Sequence, residues 1–173
     1  MAAYWAIPVI SSGGPHVQFS NKEIFSTLTR LSFSLTNLGS FVKQIFHVFN
    51  WTHMSIIVQE KPSSPLIPLI KETIVDAFDS TETEVVLEMH EISRLLAKTN
   101  LKNLLIECGK EARVIIILTS GETLRQILLA GYELSMGNGG YVFITVELFK
   151  HTKSFGNFDW FISGDSRNEV GVM

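Results

Sequence analysis

The chain has 173 residues, 46% of them apolar and 18% charged, with a formal net charge of −3. That length suits one domain with a real core, or part of a two-lobed protein, and the composition excludes a disordered chain. No basic stripe marks a nucleic-acid face, a single cysteine excludes a disulfide scaffold, and no apolar run nears the ~20 residues of a membrane span.

The opening "MAAYWAIPVISSGG" lacks the basic flank of a signal peptide, so neither leader nor span is expected within this chain. "IPVISSGG" (7–14) reads as a short buried strand ending in a Ser/Gly turn. From there to about Arg30 the sequence is polar and irregular. Leu38, Phe41, Val42, Ile45, Phe46 and Phe49 then follow helical spacing and predict an amphipathic helix. "HMSIIV" (53–58) is a buried strand. "QEKPSSP" is a loop, with Pro65 or Pro68 suited to the first turn of a helix carrying Ile70, Ile74 and Phe78.

"TEVVLEMHE" (83–91) is the next strand. A helix with Leu101, Leu104, Leu105 and Cys108 is expected to end at Gly109, as a C-cap. "RVIIIL" (113–118) is apolar on both faces, as parallel strands are. "TSGE" (119–122) opens another helix, with Thr119 and Glu122 at capping-box spacing. Leu124, Ile127, Leu128, Gly131 and Leu134 or Ser135 share one face of it. "YVFITV" (141–146) is the last strand, and the tail from Lys150 reads as loop. From Leu38 onward helices and strands alternate strictly. That order argues an α/β fold, a parallel sheet with helices on both faces.

Motifs for chemistry mostly fail. Gly137, Gly139 and Gly140 follow a helix and precede a strand, where the dipole end is negative and repels phosphate. Val142 also stands where a dinucleotide loop needs its third glycine. They are expected to form a C-cap and a turn. "TSGE" has the strand-to-helix polarity of a ligand crevice, but capping alone explains Thr119 and Ser120. "CGKE" (108–111) lacks the P-loop glycine at Leu104 and the hydroxyl at Glu111. "HEISR" (90–94) has Arg94 where a zinc helix needs its second histidine. The five histidines show no ligand spacing, so no metal site is expected. Cys108 has no adjacent histidine and reads as a packed thiol. Asn50 heads the sequon "NWT", a glycosylation acceptor if the chain is secreted. No catalytic constellation emerges, and the chain is not expected to be an enzyme. The residues by themselves stop at a ligand-binding α/β domain or an interaction module.

One segment goes further. "ARVIIILTSGETLRQILLAGYELSMGNGGYVFITVELF" (112–149) resembles the ligand-binding ectodomain of natriuretic peptide receptors, the receptor guanylate cyclases and the clearance receptor. The likeness runs through Arg113, Ser120, Leu124, Arg125, Leu128, Ala130, Tyr141, Val142, Phe143, Glu147, Leu148 and Phe149. The tail "FGNFDWFISGD" resembles the family's pattern through Gly156, Trp160, Gly164 and Asp165. "WAIPVISSGG" and "LTRLSFSLTNLGSFVKQIFHVFNW" resemble the stretches that lead into the second lobe. The likeness covers nearly the whole chain.

The resemblance implies a type I periplasmic-binding-protein-like fold, here a partial two-lobe domain. Residues 1–33 would end the membrane-distal lobe and cross over, 34–149 would form βα units of the membrane-proximal lobe, and 150–173 a truncated loop and tail. It implies an extracellular receptor segment for a peptide hormone, coupled in the whole family to cyclic-GMP signalling or hormone clearance, with a receptor homodimer as partner. Hormone contacts would fall in Gln59–Phe78 and Val85–Glu91. Within "VLEM", Glu88 is the foremost candidate, a carboxylate able to pair with a basic peptide; Glu72 is a second.

Departures are visible. The family's cysteine after "SIIV" is absent from the shorter "QEKPSSPLIPL", and Phe33 stands where the family tends to have proline. The family's bound chloride uses mostly upstream segments, so Ser11–Gly14 alone assign none, and no other cofactor is implied. The first βαβ units, the membrane span, the kinase-like domain and the cyclase are not in this chain. A fragment is expected, one that binds hormone poorly alone. The same fold also suits a periplasmic-type domain for amino-acid-like ligands, with "TSGE" at its cleft. A nucleotide-dependent enzyme is disfavoured by the missing phosphate loop.

Overall fold

The computed structural model describes residues 3–60, 64–79, 85–93, 98–148 and 150–171. Met1 and Ala2 of the opening, Lys61 to Ser63 of the loop after "SIIV", Thr83 and Glu84 of the third strand, Arg94 of "HEISR" and Phe149 of the receptor-like segment lie outside the described residues. Contacts divide the chain into two units: Met1–Asn50 with Leu69–Thr83, and Trp51–Pro68 with Glu84–Met173.

The first unit holds strands β1 (Val9–Ser11) and β2 (Leu28–Arg30), a parallel pair in the register Val9↔Leu28. β2 lies in a stretch read from sequence as irregular: at three residues it is too short for alternation to show. β1 is not the buried strand expected, since Ile10 is 72% exposed. The Arg30 guanidinium ties the pair to the following turn, donating to the carbonyls of Gly14 and His16 at 3.0 Å each and to Ser20 Oγ at 3.0 Å.

Helix α1 (Thr36–Val48) buries Gly39, Val42 and Phe46, with Leu35 just before it. The predicted stripe is therefore rotated: Phe41 and Phe49 are each 61% exposed. Gly39 is the reason. A Cβ there would stand 2.5 Å from the Thr73 carbonyl and 3.1 Å from Ala77 Cβ, so α2 (Leu66–Phe78) approaches along the glycine face. Phe46 and Phe78 close the contact edge-to-face at 5.1 Å. Pro68 falls in the first turn of α2, as expected.

The second unit is built on a four-stranded parallel sheet in the order β4-β3-β5-β6: β3 (His53–Gln59), β4 (Val86–Ile92), β5 (Val114–Leu118) and β6 (Val142–Thr145). Between the strands run α3 (Lys98–Glu111) and α4 (Gly121–Glu133). Ile57, Ile115 and Ile117 share one core with Leu101, Leu105 and Cys108 of α3 and with Ile127 and Ala130 of α4. Met54, Ile56 and Ile116, on the opposite sheet face, are also buried. The α/β class with parallel strands flanked by helices is thus as predicted.

Three helix ends differ from expectation. α3 runs through Gly109 to Glu111, so Gly109 is no cap. Its missing side chain admits the Tyr141 ring, 3.1 Å from where a Cβ would stand, and Tyr141 Oη donates to the Gly109 carbonyl at 3.3 Å. The N-cap of α4 is Ser120 rather than Thr119, and no side chain caps it. Ser120 Oγ bonds Thr123 Oγ1 at 3.1 Å instead, and Glu122 reaches forward to Asn157. At the other end the glycines do not stop the helix. Ser135 does, at φ 58°, with its N–H on the Tyr132 carbonyl (2.8 Å) and the Met136 N–H on the Gly131 carbonyl (2.9 Å). That bond pair is a Schellman motif, and buried Met136 supplies its apolar contact. Gly137 to Gly140 form only the turn that follows.

The tail is not plain loop either. It contains α5 (Thr152–Phe155), whose Phe155 is buried, and a 3-10 turn (Ser166–Gly171).

Ser135 carries a β-carbon in the left-handed region, which costs an L-residue about 1 kcal/mol. Ser135→Gly is expected to stabilise the chain by that order, read as a higher urea midpoint at unchanged slope. A lower midpoint would show that the serine side chain contributes more than its strain costs.

Candidate ligand-binding site

Glu88 sits in the middle of β4, an edge strand, opposite Ser55 in the register. It is half-buried. It shares its sheet face with Ser55, beneath α3 and the buried Cys108 thiol. Burial first of all, and then the Glu107 and Glu88 carboxylates, push that thiol above its ordinary value. The Ser55 hydroxyl works the other way, although its Oγ makes no hydrogen bond of good geometry. Cys108 is therefore a neutral, packed thiol at neutral pH, as expected.

Glu72 lies on the exposed side of α2, its carboxylate 3.8 Å from His16 Nε2. It belongs to the first unit, whereas Glu88 belongs to the second. Asn50 is exposed after α1, at φ 51°. Asparagine tolerates that left-handed conformation better than most residues. Thr52, the third residue of the sequon, is exposed too.

The crevice at the carboxyl ends of β3 and β5 is closed by the chain itself. Thr119, Ser120 and Thr123 are buried, and Gln59 Oε1 accepts the Ser120 N–H at 3.0 Å. Residues 156–158 cross the start of α4. The Asn157 carbonyl stands where a side chain on Gly121 would be, and the Asn157 N–H donates to Glu122 Oε1 at 3.0 Å. "TSGE" thus presents no open cleft within this unit.

What fastens that segment is Arg125 of α4, only 8% exposed. Its Nε donates to the Trp160 carbonyl (3.1 Å), its Nη1 to Asp165 Oδ2 (2.9 Å) and its Nη2 to Asn168 Oδ1 (3.4 Å). The guanidinium also lies over the Trp160 ring at 5.2 Å. Asp165 takes two further bonds from the Arg167 guanidinium and one from its backbone N–H. These bonds hold the Asp165 carboxyl far below the usual carboxylate range, those from Arg167 first and that from Arg125 after them. Gly156 and Gly164 bend the strap at φ 79° and 82°, a region side chains avoid.

Between this strap and helices α3 and α4 lies a cavity of about 710 Å³. Leu101 and Leu129 give it apolar wall, and Glu122, Asp159 and Asp165 face it beside the two arginines. Both arginines are engaged by Asp165. Among the described residues no group of three or more metal-ligating side chains gathers.

The sequence had singled out Arg125, Gly156, Trp160, Gly164 and Asp165 only through a family likeness. Their joint role was not readable, because roughly forty residues separate Arg125 from Asp165 and no periodicity links them.

The folded-state pKa of Asp165 lies below its unfolded value, so its contribution is present above about pH 4 and fades as the pH falls through and below that value. Asp165→Asn is expected to flatten the acid limb of the stability–pH profile. Arg125→Met is expected to free the strap, seen as faster amide exchange over 156–168 while β3 and β5 keep their protection. An unchanged acid limb would sink the clamp.

Comparison with known proteins gives a consistent answer. The model of the receptor family ligand binding region matches residues 1–165. Atrial natriuretic peptide receptor 3 of Mus musculus is 24% identical over 161 residues, 92% of this chain and 29% of its own length. The Homo sapiens protein of that name is 22% identical over the same extent. Atrial natriuretic peptide receptor 2 of Bos taurus is 27% identical over 150 residues, 86% of this chain and 14% of its own length. The chain thus spans less than a third of the relatives it matches.

Proposed function

This chain belongs to the receptor ligand-binding-region family, and we propose that it is the part of an extracellular receptor that meets a peptide hormone. The family match over residues 1–165 is the observation that carries this reading. The receptors it resembles are named for atrial natriuretic peptide. The chain is a segment of a binding region, and its role is recognition rather than turnover.

Glu88 is the hormone contact in this reading, with Glu72 second. A half-buried carboxylate on an edge strand is partly desolvated, so a cationic group of a peptide gains more from it than from a fully solvated one. Residues 1–33 complete a membrane-distal lobe, 34–149 belong to a membrane-proximal one, and 150–173 form the tail. The whole receptor acts on the outer side of the plasma membrane as a homodimer. Asn50, exposed and left-handed, carries a glycan there.

The test grafts this chain in place of the matching segment of the mouse receptor 3 and titrates cells displaying the chimera with labelled atrial natriuretic peptide. Saturable binding is expected, weakened roughly tenfold by Glu88→Gln, which keeps the side-chain shape. A displayed chimera that binds no peptide would overturn the hormone reading. Binding indifferent to Glu88→Gln would overturn the site. On the same cells, Asn50→Gln should remove one endoglycosidase-sensitive mass step; an unchanged mass would show that Asn50 carries no glycan.

A further inference from the structure

The glycine-rich turn after α4 is left unused by hormone recognition, yet it holds a reactive pair. Asn138 is followed by Gly139, and no other asparagine of this chain has a glycine after it. Both residues are exposed. The side-chain amide carbon of an asparagine is an electrophile, and the backbone nitrogen of the next residue is its nearest nucleophile. A β-carbon on that next residue obstructs the approach. Gly139 has none, holds φ at 85°, and has nothing within 4 Å of the place a Cβ would take. Asn138 Oδ1 accepts the Gly140 N–H at 3.1 Å. That bond folds the side chain back along the main chain and draws electron density from the amide carbon.

We propose that Asn138–Gly139 is a site of spontaneous deamidation, which switches the charge of the turn leading into β6. The Gly139 nitrogen attacks Asn138 Cγ. A new N–Cγ bond forms, the Cγ–Nδ2 bond breaks, and ammonia leaves with the proton that the Gly139 nitrogen gave up. Water then opens the resulting succinimide at either carbonyl, giving aspartate or isoaspartate. No oxidant or reductant takes part.

The place of the new carboxylate gives the step a consequence. Arg113 Nη1 reaches the Gly140 carbonyl at 3.4 Å, and its guanidinium lies 6.0 Å from the Tyr141 ring centre. The Val142 N–H donates to the Arg113 carbonyl at 2.8 Å, the first rung of β6 on β5. An aspartate at 138 offers Arg113 an ionic partner beside that rung. An isoaspartate lengthens the main chain by one carbon just ahead of it and loosens the edge strand. Either product makes the chain one charge more negative than its present −3.

The test incubates the intact folded chain at neutral pH and body temperature. Peptide mapping then locates the one-dalton mass gain, and isoaspartyl methyltransferase labelling identifies the isoaspartate. Asn138 is expected to convert at least about tenfold faster than any other asparagine, and Gly139→Ala to slow it by about the same factor. A parallel incubation in urea supplies the rate of the unfolded chain, and the folded rate is expected to stay within about tenfold of it. Conversion of another asparagine first, no slowing by Gly139→Ala, or a folded rate far below the urea rate would each overturn the proposal.

Discussion

The parallel pairing of β3 with β5 is the contact on which the second unit depends. Met54 to Val58 face Val114 to Leu118 rung by rung, and all ten residues are buried. Each large apolar side chain buried there contributes roughly 2 kcal/mol relative to exposure. Two such strands cannot stand alone in water, since successive rungs put apolar side chains on both faces. β4 and β6 must flank them, and helices must cover them. The α/β alternation of the sequence answers that requirement.

The strap adds a different kind of constraint. Residues 156–168 pack Phe158 against the core, and polar geometry fixes the rest. One guanidinium satisfies a carbonyl, a carboxylate and an amide oxygen while lying on an indole ring. Arginine suits this place because its planar fork donates in several fixed directions, which a lysine cannot do. Gly121, Gly156 and Gly164 are the backbone side of the same device: one admits a carbonyl against α4, and two turn the strap where a side chain would be strained. The receptor family likeness of this tail therefore has a physical basis in how the tail closes the strand-end crevice.

Much of the fold was legible because periodicity encodes burial. "HMSIIV", "RVIIIL" and "YVFITV" are strands, and Leu101, Leu105 and Cys108 do line the core face of α3. The departures come from close approach of distant segments and from one unusual backbone angle. Apolar spacing gives Val42 and Phe46 of α1 correctly, but it cannot show Gly39 as the close-contact position, and the buried face turns toward it and away from Phe41 and Phe49. Gly109 looked like a cap because glycine usually is one after a helical run, yet here it makes room for Tyr141 from far along the chain. Ser135 ends α4 although serine rarely takes a left-handed φ, so sequence alone points past it to Gly137, Gly139 and Gly140.

The sequence by itself determined the class of fold, the order of helices and strands from α1 to β6, and the family, because these depend on local patterns and on motifs read in a line. Only the tertiary structure decided which helix face is buried, that α3 runs on through Gly109, that Arg125 meets Trp160 and Asp165, and that Glu88 is half-buried on an edge strand. Those outcomes depend on close approach between segments distant in the chain. Distance in space, unlike periodicity, leaves no mark on the order of the residues.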